Sequence, residues 1–210
     1  MSRSHLAENF FLIVHDPFTG KLTISRELLD CGLVASQLAD LVLSGHLDVV
    51  DDRVVVTDRT GGRDEELDRF VLDAVARQKS AHTVRVWSES VGEIVFDLVV
   101  KSLLDDGVIR AEKSRAVLRR GPERFPAQDL LRASGPRLRL EHMLRHPTEF
   151  DLPGAVTAAI VGALGVERTF EFDIERELFT ELSENLPPSL ERLVAGVAAT
   201  VAAISLTIRR

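Results

Sequence analysis

The longest stretch of this chain without a charge runs from Leu193 to Ile208. Apolar side chains recur through it and just before it at Leu190, Leu193, Val194, Val197, Val201, Ile204 and Ile208, the stripe of an α-helix. The run is shorter than the ~18–20 apolar residues that a bilayer span needs, so a membrane anchor is the lesser reading. Behind the stripe lie Ala195, Gly196, Ala199, Ala202 and Ala203, small enough for other helices to approach closely. The sequence therefore predicts a core helix with residues 193–206 almost wholly buried, around which the rest of the chain must wrap.

The rest of the chain supplies such partners. Leu28, Leu29, Leu33, Leu38, Leu41 and Val42 repeat at helical spacing over 26–44, and Gly45 stops that helix. Helices are also expected at 6–15, 64–79, 88–106, 127–133, 137–146, 152–164, 169–184 and 188–208. In the 88–106 helix, Ser90 and Glu93 have capping-box spacing, and Val91, Ile94, Val95, Leu98 and Val99 are expected to face inward. Two stretches change period. "LDVVDDRVVVTD" reads as a hairpin turning at Asp51-Asp52, and "VIRAEKSRAVLRR" as a second strand and its return. The expected fold is mainly α: a single helical domain over residues 1–210, around a central hydrophobic helix, with small β-hairpins.

With 45% hydrophobic and 28% charged residues among 210, the chain has apolar material for a core and is not disordered. The single cysteine, Cys31, excludes an internal disulfide and fits a reducing compartment. The opening "MSRSHLAENFFLIVHD" places Glu8 before a short apolar run, unlike a secretory leader.

Candidate chemistry is sparse. There is no Gly-x-Ser-x-Gly motif, and Cys31 sits inside an apolar helical run where a thiol is inert. "TGG" at 60–62 lacks the Lys-Ser/Thr of a phosphate loop. His142 and His146 are four apart, but "HMLRH" lacks the glutamate of the zinc-protease motif, so no metal is expected. Trp87 reads as a packing residue. No cofactor is expected, and no catalytic residue is assigned.

Charge is what stands out. Between Arg110 and His146 there are ten basic and four acidic residues, a net of +6, which leaves −13 for the remainder of a chain whose total is −7. At its centre is "SRAVLRRGPERF", where Arg115, Arg119, Arg120 and Arg124 surround Val117, Leu118 and Phe125. Clustered arginines with apolar neighbours suit an anionic lipid surface.

Taken in order, "LAENFFLIVHDPFTGKL", "GLVASQLADLVLSGHLDV", "TGGRDEELDRFVLDAV" and "LVVKSLLDDGVIRAEKSRAVL" resemble successive segments of the Golgi phosphoprotein 3 family. The likeness is weaker after about residue 125. It implies a helical core, a projecting β-hairpin at about Glu112–Phe125, and a peripheral membrane protein without enzymatic activity. Eukaryotic members bind phosphatidylinositol 4-phosphate and hold glycosyltransferases by their cytosolic tails, and their hairpin serves membrane contact and oligomerisation. The family's headgroup ligands do not carry over. Its tryptophan falls on Ser25, and its arginines fall on Val34, Glu93 and Phe96. Glu93 would repel a phosphate.

The expectation is a cytoplasmic protein, peripheral on the inner face of the cell membrane, that meets anionic phospholipid headgroups through Arg115, Arg119, Arg120 and Arg124. Val117, Leu118 and Phe125 would insert or pair two copies through the 112–125 hairpin, and a client protein is a further expected partner. The alternative is a soluble regulatory protein using the same basic hairpin surface for protein or nucleic acid. Nucleic acid is disfavoured there, since the basic segment carries one aromatic, Phe125.

Overall fold

The computed structural model describes residues 5–58, 66–112, 124–170 and 174–208, the side chains at 207 and 208 left aside. In chain order the helices are α1 (Leu6–Ile13), α2 (Arg26–Leu43), α3 (Glu66–Ala76), α4 (Val84–Asp105), α5 (Leu130–Arg145), α6 (Leu152–Leu164), α7 (Arg176–Glu184) and α8 (Pro188–Ile208). The strands β1 (Leu47–Val50) and β2 (Arg53–Val56) lie between α2 and α3 and pair antiparallel. Asp51 and Asp52 turn between them, both at positive φ (48° and 59°), as a two-residue primed turn requires. The expected mainly α fold with a hairpin is what the chain adopts.

The central helix is α2. Its residues Cys31 to Ala39 are buried without a break, the mark of a helix enclosed on every side. It packs against α1, α3, α4, α6 and α8. Ser25 starts it, accepting a bond from the Leu28 N–H. Gly32 lets α1 come close: a Cβ there would lie 2.2 Å from the Phe10 ring, itself fully buried, and 2.9 Å from a Leu164 methyl. Gly32→Ala is therefore expected to lower stability by about 1–3 kcal/mol through overpacking. An unchanged urea midpoint would mean that α1 shifts freely on α2.

α8 departs from expectation. Leu190, Leu193, Val194, Val197 and Thr200 are buried, but Ala195, Ala198, Ala199, Ala202 and Leu206 are exposed. Contrary to the length argument from sequence, residues 188–206 are long and apolar enough to cross a bilayer by length and composition, and only 28% of the most apolar window is buried. One face of this helix packs on α2, α4, α6 and α7, while its alanine back stays open. Alanine carries little apolar surface, so leaving it in water costs little.

Other boundaries differ too: α1 ends at Ile13 rather than 15, and α3 at Ala76 rather than 79. α4 begins at Val84 rather than 88, because Val84 and Trp87 extend the buried stripe one turn backwards. Ser90 is therefore interior and not a cap, and Ser88 donates back to the Val84 carbonyl. Ile94, expected inside, is 45% exposed. The two helices expected at 127–133 and 137–146 are one, α5, which runs through Pro136. Burial of Ala133 on one side of the proline and of Leu140, Met143 and Leu144 on the other, against α1 and α6, outweighs the lost bond. α7 starts at Arg176, after a 3₁₀ turn at Glu167–Thr169, rather than at 169.

Candidate functional site

The arginine-bearing segment leaves the body where α4 ends. Gly107 closes that helix at φ +67°, and Val108 and Ile109 turn inward. Residues 109–112 then run antiparallel to 124–127. Arg110 N–H bonds the Pro126 carbonyl at 2.9 Å and Glu112 N–H the Arg124 carbonyl at 3.0 Å, with bridges Ile109–Ala127 and Glu112–Arg124. These bridges form the foot of the segment expected as the second hairpin. Arg115, Val117, Leu118, Arg119 and Arg120 lie outside the described residues, as does "TGG" at 60–62. Arg124 is exposed, and along the 109–112 strand Arg110 pairs with Glu112 at 3.4 Å.

Phe125 was expected to insert into a membrane or pair two copies. Its ring is instead 3% exposed. It stands edge-on to Phe11 and Phe96, with centroids 6.5 and 6.3 Å away. An aromatic side chain at this point of the hairpin gains more from the core than from solvent, because α1 and α4 leave a gap between those two rings.

A second loop clamps the foot. Asp16 takes the N–H groups of Phe18 and Thr19 on one carboxylate oxygen, 2.9 Å each. Those donors, Thr19 foremost, hold its carboxyl below the usual range. Gly20, at φ +67°, sits so close to the foot that a Cβ would fall 2.4 Å from the Pro126 nitrogen. Its carbonyl accepts from Phe125 N–H at 3.1 Å, and the Pro17 carbonyl accepts from Ala127 N–H at 2.8 Å. His15, fully buried and stacked on Phe11, donates from Nε2 to the Phe125 carbonyl at 2.6 Å. Burial lowers its pKa, against a smaller upward pull from that bond and from Asp16. The helix expected at 6–15 ends instead at Ile13, which frees His15 to reach the foot. Exposed Phe18 (76%) and Leu131 (81%) beside the foot were missed as well.

The positions matching the family's headgroup site form a different surface. Ser25 and Glu93 line a cleft of about 630 Å³ together with Glu27, Asp30, Cys31, Arg85, Ser88, Glu89, Thr200 and Ile204. Val34 is fully buried and Phe96 is 8% exposed. The nearby guanidiniums are engaged: Arg85 bonds Glu89 at 2.8 Å, while Arg26 bonds Asp30 at 2.7 Å and covers the Phe96 ring at 4.0 Å. Burial raises the Asp30 pKa, and Glu27 and Glu93 push it the same way. Burial also pushes the Cys31 thiol up to about 11, which keeps it protonated. Four carboxylates facing two occupied guanidiniums make this cleft repel a phosphate.

Elsewhere, Trp87 is 3% exposed against the His82 ring. His142 Nε2 meets Glu149 at 2.8 Å, and His146 Nδ1 donates to the His142 carbonyl at 3.0 Å. Among the described residues, no three His, Cys, Asp or Glu side chains are grouped to hold a metal.

No curated protein matches the chain. The family model described as Golgi phosphoprotein 3 (GPP34) matches residues 6–203, nearly its whole length. Helical core, hairpin foot and ordered segments agree with that match, and the chain belongs to the Golgi phosphoprotein 3 family.

Proposed function

We propose that this protein is a non-enzymatic adaptor that rests on the inner face of the cell membrane and binds anionic phospholipid through the arginines of segment 112–125. The observation that carries this reading is the concentration of charge. A net +6 over residues 110–146 sits in a chain of −7, and four arginines fall within ten residues. Each basic residue near an anionic surface contributes about 1 kcal/mol, so a cluster gives useful and salt-sensitive affinity. Family membership supports the same reading. Val117 and Leu118 supply apolar side chains at the same place for insertion or for pairing with a second copy.

Headgroup selectivity is where this chain departs from its eukaryotic relatives. Glu93 and its acidic neighbours stand in the cleft at the corresponding positions, so recognition here rests on surface charge and not on one phosphoinositide. Flotation with vesicles of matched surface charge is the test. Binding is expected to rise with anionic lipid content and to be equal, within about threefold, for phosphatidylglycerol and phosphatidylinositol 4-phosphate. Strong preference for the phosphoinositide would mean that other residues have rebuilt the site. Failure to float on any anionic vesicle, with retention of DNA, would favour the nucleic-acid reading instead.

A further inference from the structure

His15 is the one buried titratable group that ties the turn at 16–20 to the hairpin foot. Its imidazole is fully buried, stacked on Phe11 with centroids 5.3 Å apart. Nε2 carries the proton given to the Phe125 carbonyl, so Nδ1 must be the bare nitrogen. That nitrogen has no hydrogen-bond partner. A neutral imidazole tolerates this, but an imidazolium would hold a second N–H and a full charge in an apolar wall.

The charged groups around it offer no ready relief. On its own segment, Asp16 is the nearest carboxylate, and its Oδ1 is occupied by Phe18 and Thr19 N–H. The segment facing His15 carries Lys21, next to Leu22, which bridges to His15. The foot carries Arg124 and Glu112, joined by a backbone bridge, and Arg110, whose guanidinium meets the Glu112 carboxylate at 3.4 Å. Toward α2 and α4, Arg26 covers the outer side of Phe96 and is bonded to Asp30. Of these groups Asp16 is the one that acts on His15 through its charge, and it favours protonation; burial outweighs it. A protonated His15 keeps its Nε2 bond to Phe125 but turns a second N–H, on Nδ1, toward no acceptor, and it gains one only if the packing between the turn and the foot loosens.

We propose that the His15–Phe125 contact is a proton-sensitive latch: uptake of a proton on Nδ1 loosens the clamp of the 16–20 turn on the hairpin foot. The latch itself works in solution and needs no lipid. Its use in docking rests on the membrane reading above. A surface at about −30 mV concentrates protons by roughly half a pH unit, which would bias the latch open where the arginines land.

Linkage fixes the sign. The folded-state pKa of His15 lies below its unfolded value. The stability that the buried neutral imidazole gives the clamp is therefore complete above about pH 6.5 and is lost as pH falls below it, by at most tenfold per pH unit for one proton, burial outweighing the opposite pull of the Phe125 bond. Amide hydrogen exchange in the full chain, corrected for intrinsic rates, measures it. Protection of the Glu112, Phe125 and Ala127 amides, relative to amides of α2, is expected to fall severalfold or more between pH 7 and 5. The His15→Gln variant, whose amide reaches Phe125 but does not titrate, is expected to show no such slope. Comparison with α2 and with this variant separates the effect of His15 from any change elsewhere in the chain. Equal slopes in parent and variant, or no slope in the parent, would overturn the latch. Should the variant not fold, the parent's His15 ring is titrated by NMR. A depressed midpoint shared with the Phe125 amide is the expected result, and a midpoint near 6.5 or an unmoved Phe125 amide would overturn it. None of these outcomes depends on vesicle binding, so failure of the latch and failure of the membrane reading are told apart.

Discussion

Replacing Phe125 with alanine is expected to destabilise the protein by about 3–5 kcal/mol, the range for removing a buried aromatic ring. The ring is 3% exposed and meets Phe11 and Phe96 edge-on, and those two lie 6.1 Å from each other. Removing it would leave three-sided space between α1 and α4, walled by rings that cannot rotate inward without losing their own contacts. The backbone adds to the effect. Phe125 N–H and C=O are bonded to Gly20 and His15 respectively, and both bonds depend on the foot staying seated. Urea denaturation followed by circular dichroism is the measurement, with Phe125→Leu as a control that keeps most of the volume and should cost less than about 1.5 kcal/mol. A loss within about 0.5 kcal/mol for the alanine variant would mean the ring spends its time outside the core. That result would restore the expectation that Phe125 inserts into a membrane.

The misreading of Phe125 shows where the sequence stops being informative. Its neighbours Arg124 and Glu123 are charged, and Gly121-Pro122 precedes them, so local pattern assigns the whole passage to an exposed loop. What buries the ring is a gap between Phe11 and Phe96, residues 85 positions apart in the chain, and period analysis has no access to such a meeting. Elements with a strong period were legible: α2, α6 and the Asp51-Asp52 hairpin fall where expected. The two helices expected at 127–133 and 137–146 join into α5 through the burial of Ala133, Leu140, Met143 and Leu144, which only the packed α1 and α6 supply. In α8 the same small residues that permit close packing equally permit exposure, and sequence alone cannot choose. The candidate site divides in the same way. Loss of the headgroup ligands was legible at Ser25, Val34, Glu93 and Phe96, since identity alone settles whether a cation is present. The clamp formed by His15, Pro17 and Gly20 was not, because its bonds reach Phe125 and Ala127, more than a hundred positions away.

Replacing Arg115, Arg119, Arg120 and Arg124 with glutamine is expected to weaken binding to anionic vesicles by about 100- to 1,000-fold while leaving the denaturation midpoint nearly unchanged. The first part follows from about 1 kcal/mol per basic residue at such a surface, summed over four and converted at about 1.4 kcal/mol per decade. The second follows from exposure, which Arg124 has. Surface substitutions away from packed features stay within about 0.5 kcal/mol. Glutamine keeps the length and the donor groups and removes the charge, so the comparison isolates electrostatics. Salt provides an independent check. Raising ionic strength to physiological levels shortens the Debye length to about 8 Å and should lower the parent's affinity toward that of the variant, which itself should respond little. Changing Val117 and Leu118 to serine should act differently, reducing insertion or self-association with a weaker dependence on salt, because apolar transfer is not screened. A glutamine variant that floats as well as the parent would remove the hairpin from the membrane contact. One that unfolds would place its arginines in the body of the protein, as Phe125 already is.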